Sequence, residues 1–222
     1  MITLPVYLVI DTSASLGGDI DLVNQGLVDL FSSLQREPLV ADTVRIALIR
    51  FSSQAEELIP LTDVDSIGMI PTLHAAGATD YGVAFSLVRQ LIVRDVADLR
   101  TANVRILRPL MFFVTDGAPI DTSWQTTLRE LQSPEFRAHP TIIAIGFGSA
   151  DPGILRDVGS DRGGAFMISD TTSIRDALHS ISSGLASMLI STAQSSTSQS
   201  GEAPAIPLPP DWLDLSSIRD VL

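Results

Sequence analysis

Four short apolar runs do most to limit what this chain can fold into. They read LPVYLVI (4–10), VRIALIRF (44–51), PLMFFVT (109–115) and TIIAIGFG (141–148). Each is a short apolar run bounded by turn or polar residues, so each is expected to be a strand. The runs are nearly continuous rather than alternating, which is the pattern of strands covered on both faces. Between them the apolar spacing turns helical. Ile20, Val23, Leu27, Leu30, Phe31 and Leu34 recur at helical intervals before Pro38. Val83, Leu87, Val88, Leu91, Ile92, Val96 and Leu99 do so over 80–100. Further helices are expected over 122–137, near 151–158 and over 171–190, with a short strand near 164–169. AEELIPLT (55–62) follows the polar turn Ser52–Ser53–Gln54 and should pair antiparallel with 44–51. Strands alternating with helices imply an α/β, doubly wound, mostly parallel six-stranded sheet, with one antiparallel strand and helices on both faces.

A length of 222 residues suits one large domain or one domain plus an appendage. The expected domain covers 1–190. STAQSSTSQSGEA (191–203) is polar and of low complexity, so 191–210 reads as a flexible linker. Residues 211–222 regain apolar spacing at Trp212, Leu215 and Ile218 and read as a short helix or docking tail. Asp and Glu number 26 against 14 basic residues, a formal net charge of −12. That balance disfavours nucleic acid and anionic membrane as partners. The absence of cysteine excludes disulfides, thiolate zinc sites and a cysteine nucleophile. MITLPVYLVI lacks the pattern of a signal peptide, and no apolar run approaches the length of a membrane span. The expected location is the cytoplasm.

The stretch YLVIDTSASLGGDI (7–20) ends a strand on Asp11, Ser13 and Ser15. In an open parallel sheet, ligands gather at the C-terminal ends of strands. Two other segments bring oxygen-bearing side chains to that end: Thr79 in GATD and Asp116 in VTDG. Taken singly, each piece has a plain explanation, since Asp, Ser and Thr cap helices and Asp-Gly makes turns. Asp80 and Asp121 stand near the same segments and are read as surface or capping residues. Together, two carboxylates and three hydroxyls make a hard-oxygen set suited to Mg²⁺ or Mn²⁺. Two formal negative charges only neutralise a divalent ion, which leaves it able to take a further carboxylate from outside.

DTSAS, the Thr of GATD and the TDG triplet, in that order, resemble the metal-ion-dependent adhesion site of von Willebrand factor A domains. The resemblance covers about residues 1–190 and implies a Rossmann-like sheet. It implies that Asp11, Ser13, Ser15, Thr79 and Asp116 hold the metal. By that likeness Ser13 and Ser15 bind directly, Thr79 directly in one state, and the two Asp residues largely through water. It also implies a protein partner that supplies a Glu or Asp. VYLVIDTSASLGGDI, GLVDLFSSL, GATDYGVAF and VTDGAPID are similar to the bacterial tellurite-resistance TerY-type branch. That implies kinase and phosphatase partners and a role in stress response. Some members of the branch carry a cysteine-rich zinc module, which this chain lacks. The rival reading is an Mg²⁺-dependent phosphohydrolase or phosphotransferase on a similar sheet. That chemistry asks for a second Asp two residues after the nucleophile, and position 13 is Ser. No phosphate-cradling GxxxxGK[ST] loop occurs either. A binding module, not an enzyme, is therefore expected.

Overall fold

The computed structural model describes residues 2–168, 173–194 and 212–215. These form eight strands: β1 (Ile2–Asp11), β2 (Val44–Phe51), β3 (Ala55–Asp63), β4 (Arg105–Ile106), β5 (Leu110–Thr115), β6 (Thr141–Gly146), β7 (Ala165–Met167) and β8 (Leu213–Asp214). Six α-helices accompany them: α1 (Ile20–Arg36), α2 (Pro38–Thr43), α3 (Tyr81–Thr101), α4 (Trp124–Gln132), α5 (Pro152–Val158) and α6 (Ile174–Gln194). One sheet contains every strand, in the order β3-β2-β1-β5-β6-β7-β8, with β4 beside the start of β1. The central pairings are parallel, while β3 and β8 pair antiparallel at the two edges. The expected six strands are present, and two-residue β4 and β8 extend them.

Period-two side-chain alternation divides the core between two layers. Leu4, Val6, Leu8 and Ile10 of β1 pack with Val23, Leu27 and Leu30 of α1 and Leu178 and Leu185 of α6. Tyr7 and Val9 point the other way, toward Phe85 and Val88 of α3 and Leu128 of α4. Each fully buried aliphatic side chain contributes about 1.5–3 kcal/mol relative to exposure. A Cβ added at Gly26 would lie 2.9 Å from the Arg175 Cα, so glycine lets α1 and α6 approach this closely.

The structure departs from expectation where proline or tertiary contact overrides local pattern. Helix α4 ends at Gln132 rather than 137, because Ser133 precedes Pro134 and that position disfavours helix. Pro38 ends α1 but then takes the first turn of α2, where its missing N–H costs nothing. Helix α6 runs to Gln194, four residues into the stretch expected as linker. In the tail, Leu213–Asp214 is a strand against β7, not part of a helix. Trp212 is buried in one layer, 6.2 Å from the Phe166 ring, and Leu215 is buried in the other. Ile218 of the tail and the rest of the expected linker, 195–210, lie outside the described residues. Among the described residues, no helix is long and apolar enough to cross a membrane.

β1 stands between β2 and β5 because the chain first winds outward through β2 and β3, then returns to build the other half. This reversal opens a crevice at the C-terminal ends of β1 and β5, and the candidate site lies there.

Candidate metal centre

Strand β1 ends on Asp11, whose side chain is wholly buried. Its Oδ1 accepts the Ser13 backbone N–H at 2.8 Å, and its Oδ2 accepts the Thr115 hydroxyl at 2.6 Å. The loop after it is pinned to β2, since Thr12 donates both its N–H and its hydroxyl to the Phe51 carbonyl. Ser13 and Ser15 then stand with their hydroxyl oxygens 3.0 Å apart. Ser15 donates to Asp116 Oδ1 at 2.8 Å, across 101 residues of sequence. Neither serine caps a helix through its side chain: the short 3-10 turn Ala14–Gly18 has no side-chain cap, nor does α1.

Thr79 arrives on the loop before α3. That loop is tied to the Asp11 loop by backbone bonds, Ala76 N–H to Thr12 O and Ala14 N–H to Gly77 O. Gly77 has φ +82, and a Cβ there would also lie 2.9 Å from the Ser53 hydroxyl, so the crossing demands glycine. Thr79 is buried, and α3 is capped by the next residue, Asp80, which accepts the Val83 N–H. A point one Cβ bond from Gly117 lies 3.6 Å from the Thr79 hydroxyl and 4.0 Å from that of Ser15. The fold therefore brings Asp11, Ser13, Ser15, Thr79 and Asp116 to one place. Among the described residues, the side chains of Asp80 and Asp121 make no hydrogen bond to these five. Both serve the start of α3, with Asp121 accepting the Tyr81 N–H at 3.1 Å.

Two supporting residues escaped sequence reasoning. Thr115 holds Asp11, and Tyr81 holds the turn beneath, donating to the Gly117 carbonyl at 2.7 Å and lying 3.3 Å from the Thr115 hydroxyl. Tyr81 itself packs edge-on against Phe51, Phe85, Phe113 and Trp124. The only signal available was the aromatic at the first position of α3, which also fits an ordinary core residue.

Electrostatics mark the cluster as short of positive charge. Burial pushes the Asp11 carboxyl above its usual range, partly offset by the Thr115 and Ser13 hydrogen bonds, and the nearby Asp116 charge pushes it further. Burial likewise raises Asp116, with its Ser15 bond opposing and Asp19 adding to the shift. Among the described residues, no arginine pairs with either carboxylate. Nor does any group of three or more His, Cys, Asp or Glu assemble. Two carboxylates, three hydroxyls and no internal counter-charge fit a hard divalent cation that prefers oxygen.

Known structures share this architecture. The von Willebrand factor type A protein from Catenulispora acidiphila matches with a TM-score of 0.61 at 15% identity, covering 85% of this chain and 43% of that one. Mussel byssus proximal thread matrix protein 1, solved with a zinc-occupied MIDAS motif, matches at TM-score 0.53 and 18% identity, over 83% of this chain and 45% of that one. The manganese-loaded TRAP protein of Plasmodium vivax matches at TM-score 0.50 and 22% identity, over 70% and 62%. This chain thus spans less than two thirds of each of those chains, and at such identities the likeness is one of fold. No curated protein matches the sequence. The family profile of the von Willebrand factor type A domain matches residues 6–182, most of the chain. On that match and this fold, the chain belongs to the von Willebrand factor type A domain family.

Proposed function

We propose that this domain is a divalent-metal-dependent protein-interaction module. Asp11, Ser13, Ser15, Thr79 and Asp116 hold Mg²⁺ or Mn²⁺, and a partner's Glu or Asp completes the coordination. The observation that carries this reading is the hydroxyl chain Ser13–Ser15–Asp116 beside buried Asp11, drawn from two separate strand ends and with no basic partner among the described residues. Domains of this family are generally interaction modules rather than enzymes, and the zinc- and manganese-bearing relatives support a metal at this position. The residues of this chain have plain tasks in that scheme. Ser13 and Ser15 offer neutral oxygens, which leave the ion electrophilic. Thr115 and the Ser13 N–H hold Asp11 in place.

The resemblance to the TerY-type branch supports a finer reading. The module works in the bacterial cytoplasm, with kinase and phosphatase partners in a tellurite-resistance or stress system. The domain itself has no phosphatase activity, since position 13 supplies a hydroxyl and not a second carboxylate.

Pull-down with wild-type and Ser13→Ala/Ser15→Ala protein, each in Mg²⁺ or in EDTA, tests the reading. It predicts a partner retained only by wild type in Mg²⁺ and lost when one acidic residue of that partner is neutralised. A partner held equally in EDTA contradicts it. So does Mg²⁺-dependent phosphate release that Asp11→Asn abolishes.

A further inference from the structure

At the opposite end of the sheet, where β4, β5 and β6 begin, the molecule shows the reverse chemistry. Two adjoining cavities of about 300 and 460 Å³ share Arg108 as a common wall. The smaller is lined by Arg100, Arg108 and Arg137, with Val96, Ile106 and Leu107 among its apolar residues, and no acidic side chain among the described residues lines it. The larger adds Arg156 and Arg162 but also Asp157 and Asp161, so its charge is closer to balance.

The smaller cavity is conspicuous because acids outnumber bases 26 to 14 in this chain. Arg45, Arg50, Arg94 and Arg175 each find a carboxylate. Arg100, Arg108 and Arg137 have no ion-pair partner among the described residues, although they line one cavity.

Arg108 is also held in position. Its Nη1 donates to His139 Nε2 at 2.7 Å and to the His139 carbonyl at 3.0 Å. Arginine cannot accept a hydrogen bond, so His139 Nε2 is the acceptor and the ring proton sits on Nδ1, which donates to the Phe136 carbonyl at 2.9 Å. One nitrogen of Arg108 is thereby spent on orientation. The rest of its planar fork makes no hydrogen bond among the described residues, and such a fork suits two oxygens of a phosphate.

We propose that this cavity is a second ligand site, for a phosphate monoester carried on an apolar or aromatic group. Three guanidinium groups without a carboxylate match a dianion with three acceptor oxygens better than a single carboxylate. The apolar floor of buried Val96 and Leu107 receives the carrier group. A nucleic acid fits poorly, because the strongly negative remainder of the molecule repels a long polyanion. The phosphate monoester is either a small molecule or a phosphorylated side chain.

Calorimetric titration of the full chain at low salt, with phenyl phosphate, inorganic phosphate, benzoate, and a phosphoserine peptide with its unphosphorylated twin, tests the site. Phenyl phosphate should bind more tightly than inorganic phosphate or benzoate, and added salt should weaken it. Arg108→Gln should lower its affinity about tenfold or more, the scale of one charge-assisted pair. Arg100→Gln and Arg137→Gln, whose side chains make no hydrogen bond among the described residues, should weaken it without moving the thermal midpoint. These two keep the test valid if Arg108→Gln loosens its loop. Ser13→Ala/Ser15→Ala should bind phenyl phosphate as wild type does. Tighter binding of the phosphopeptide than of phenyl phosphate assigns the ligand to a phosphorylated protein segment, and weaker binding to a small molecule. The proposal is overturned by no saturable binding at millimolar phenyl phosphate, by wild-type affinity in all three arginine variants, or by equal binding of the unphosphorylated peptide.

Discussion

Asp11 shows how one side chain shapes the whole site. It is wholly buried and held from both sides, by Thr115 at 2.6 Å and by the Ser13 N–H. Thr115→Val keeps the shape and removes the donor. It should destabilise the protein by about 1–3 kcal/mol in urea denaturation, the cost of an unsatisfied buried acceptor. It should also weaken Mn²⁺ binding, although Thr115 is not a proposed ligand. The same burial makes Asp11→Ala a poor probe, because that change strands Thr115 and the Ser13 N–H. The sequence pattern placed Asp11 at a strand end but could not show its depth, which depends on a contact 104 residues away. A second buried group reports on alkali. Tyr7 lies within the core and donates to Asp95 at 3.0 Å. Burial first, and then the Asp95 charge, push its phenol far above the ordinary value of 10.0. The folded chain therefore keeps a proton that the unfolded chain releases above pH 10.0, and stability falls as pH rises beyond that value. Urea denaturation compared at about pH 9 and about pH 11 should show wild type losing about 1.4 kcal/mol more in total than Tyr7→Phe, most of it above pH 10.0.

Among the elements, the tail strand departs most from expectation. Trp212 and Leu215, two of the three tail side chains expected to dock, were legible because apolar spacing resumes after a polar stretch. Their conformation was not legible, since two strand residues depend on the open edge of β7 and not on local spacing. Trp212→Ala should destabilise the domain by about 2 kcal/mol. That is less than the roughly 3–5 kcal/mol of an interior Trp, because a tail is free to undock. The Trp212 Nε1 is buried without a hydrogen-bond partner among the described residues. Trp212→Phe should therefore cost little, and thermal unfolding of the two variants separates these outcomes. Equal midpoints in wild type and Trp212→Ala would show that β8 adds nothing to the fold. The long helices were readable from their periodicity, while α2 was not: six residues beginning on Pro38 carry too few turns to show a period. The end of α4 was expected at 137, but Pro134 disfavours helix at Ser133 and stops it at Gln132.

At the scale of the molecule, the two ends of the sheet carry two chemistries. Among the described residues, the C-terminal ends of β1 and β5 gather acids and hydroxyls with no basic partner, and the smaller cavity beside the starts of β4 and β5 is lined by three arginines and no acid. The first end was readable in the sequence because its five side chains sit at recognisable strand ends and loops. The second was not, because Arg100, Arg108 and Arg137 come from a helix end and two connections that carry no common motif. The central claim is that the first end binds a metal through Ser13 and Ser15. Calorimetric titration of metal-free protein with Mn²⁺ tests it most directly, comparing wild type with Ser13→Ala/Ser15→Ala, which leaves the Asp11–Thr115 bond in place. The account predicts a single site in wild type and an affinity lower by about tenfold or more in the variant, with an unchanged fold by circular dichroism. Equal Mn²⁺ affinity in the two proteins would contradict it.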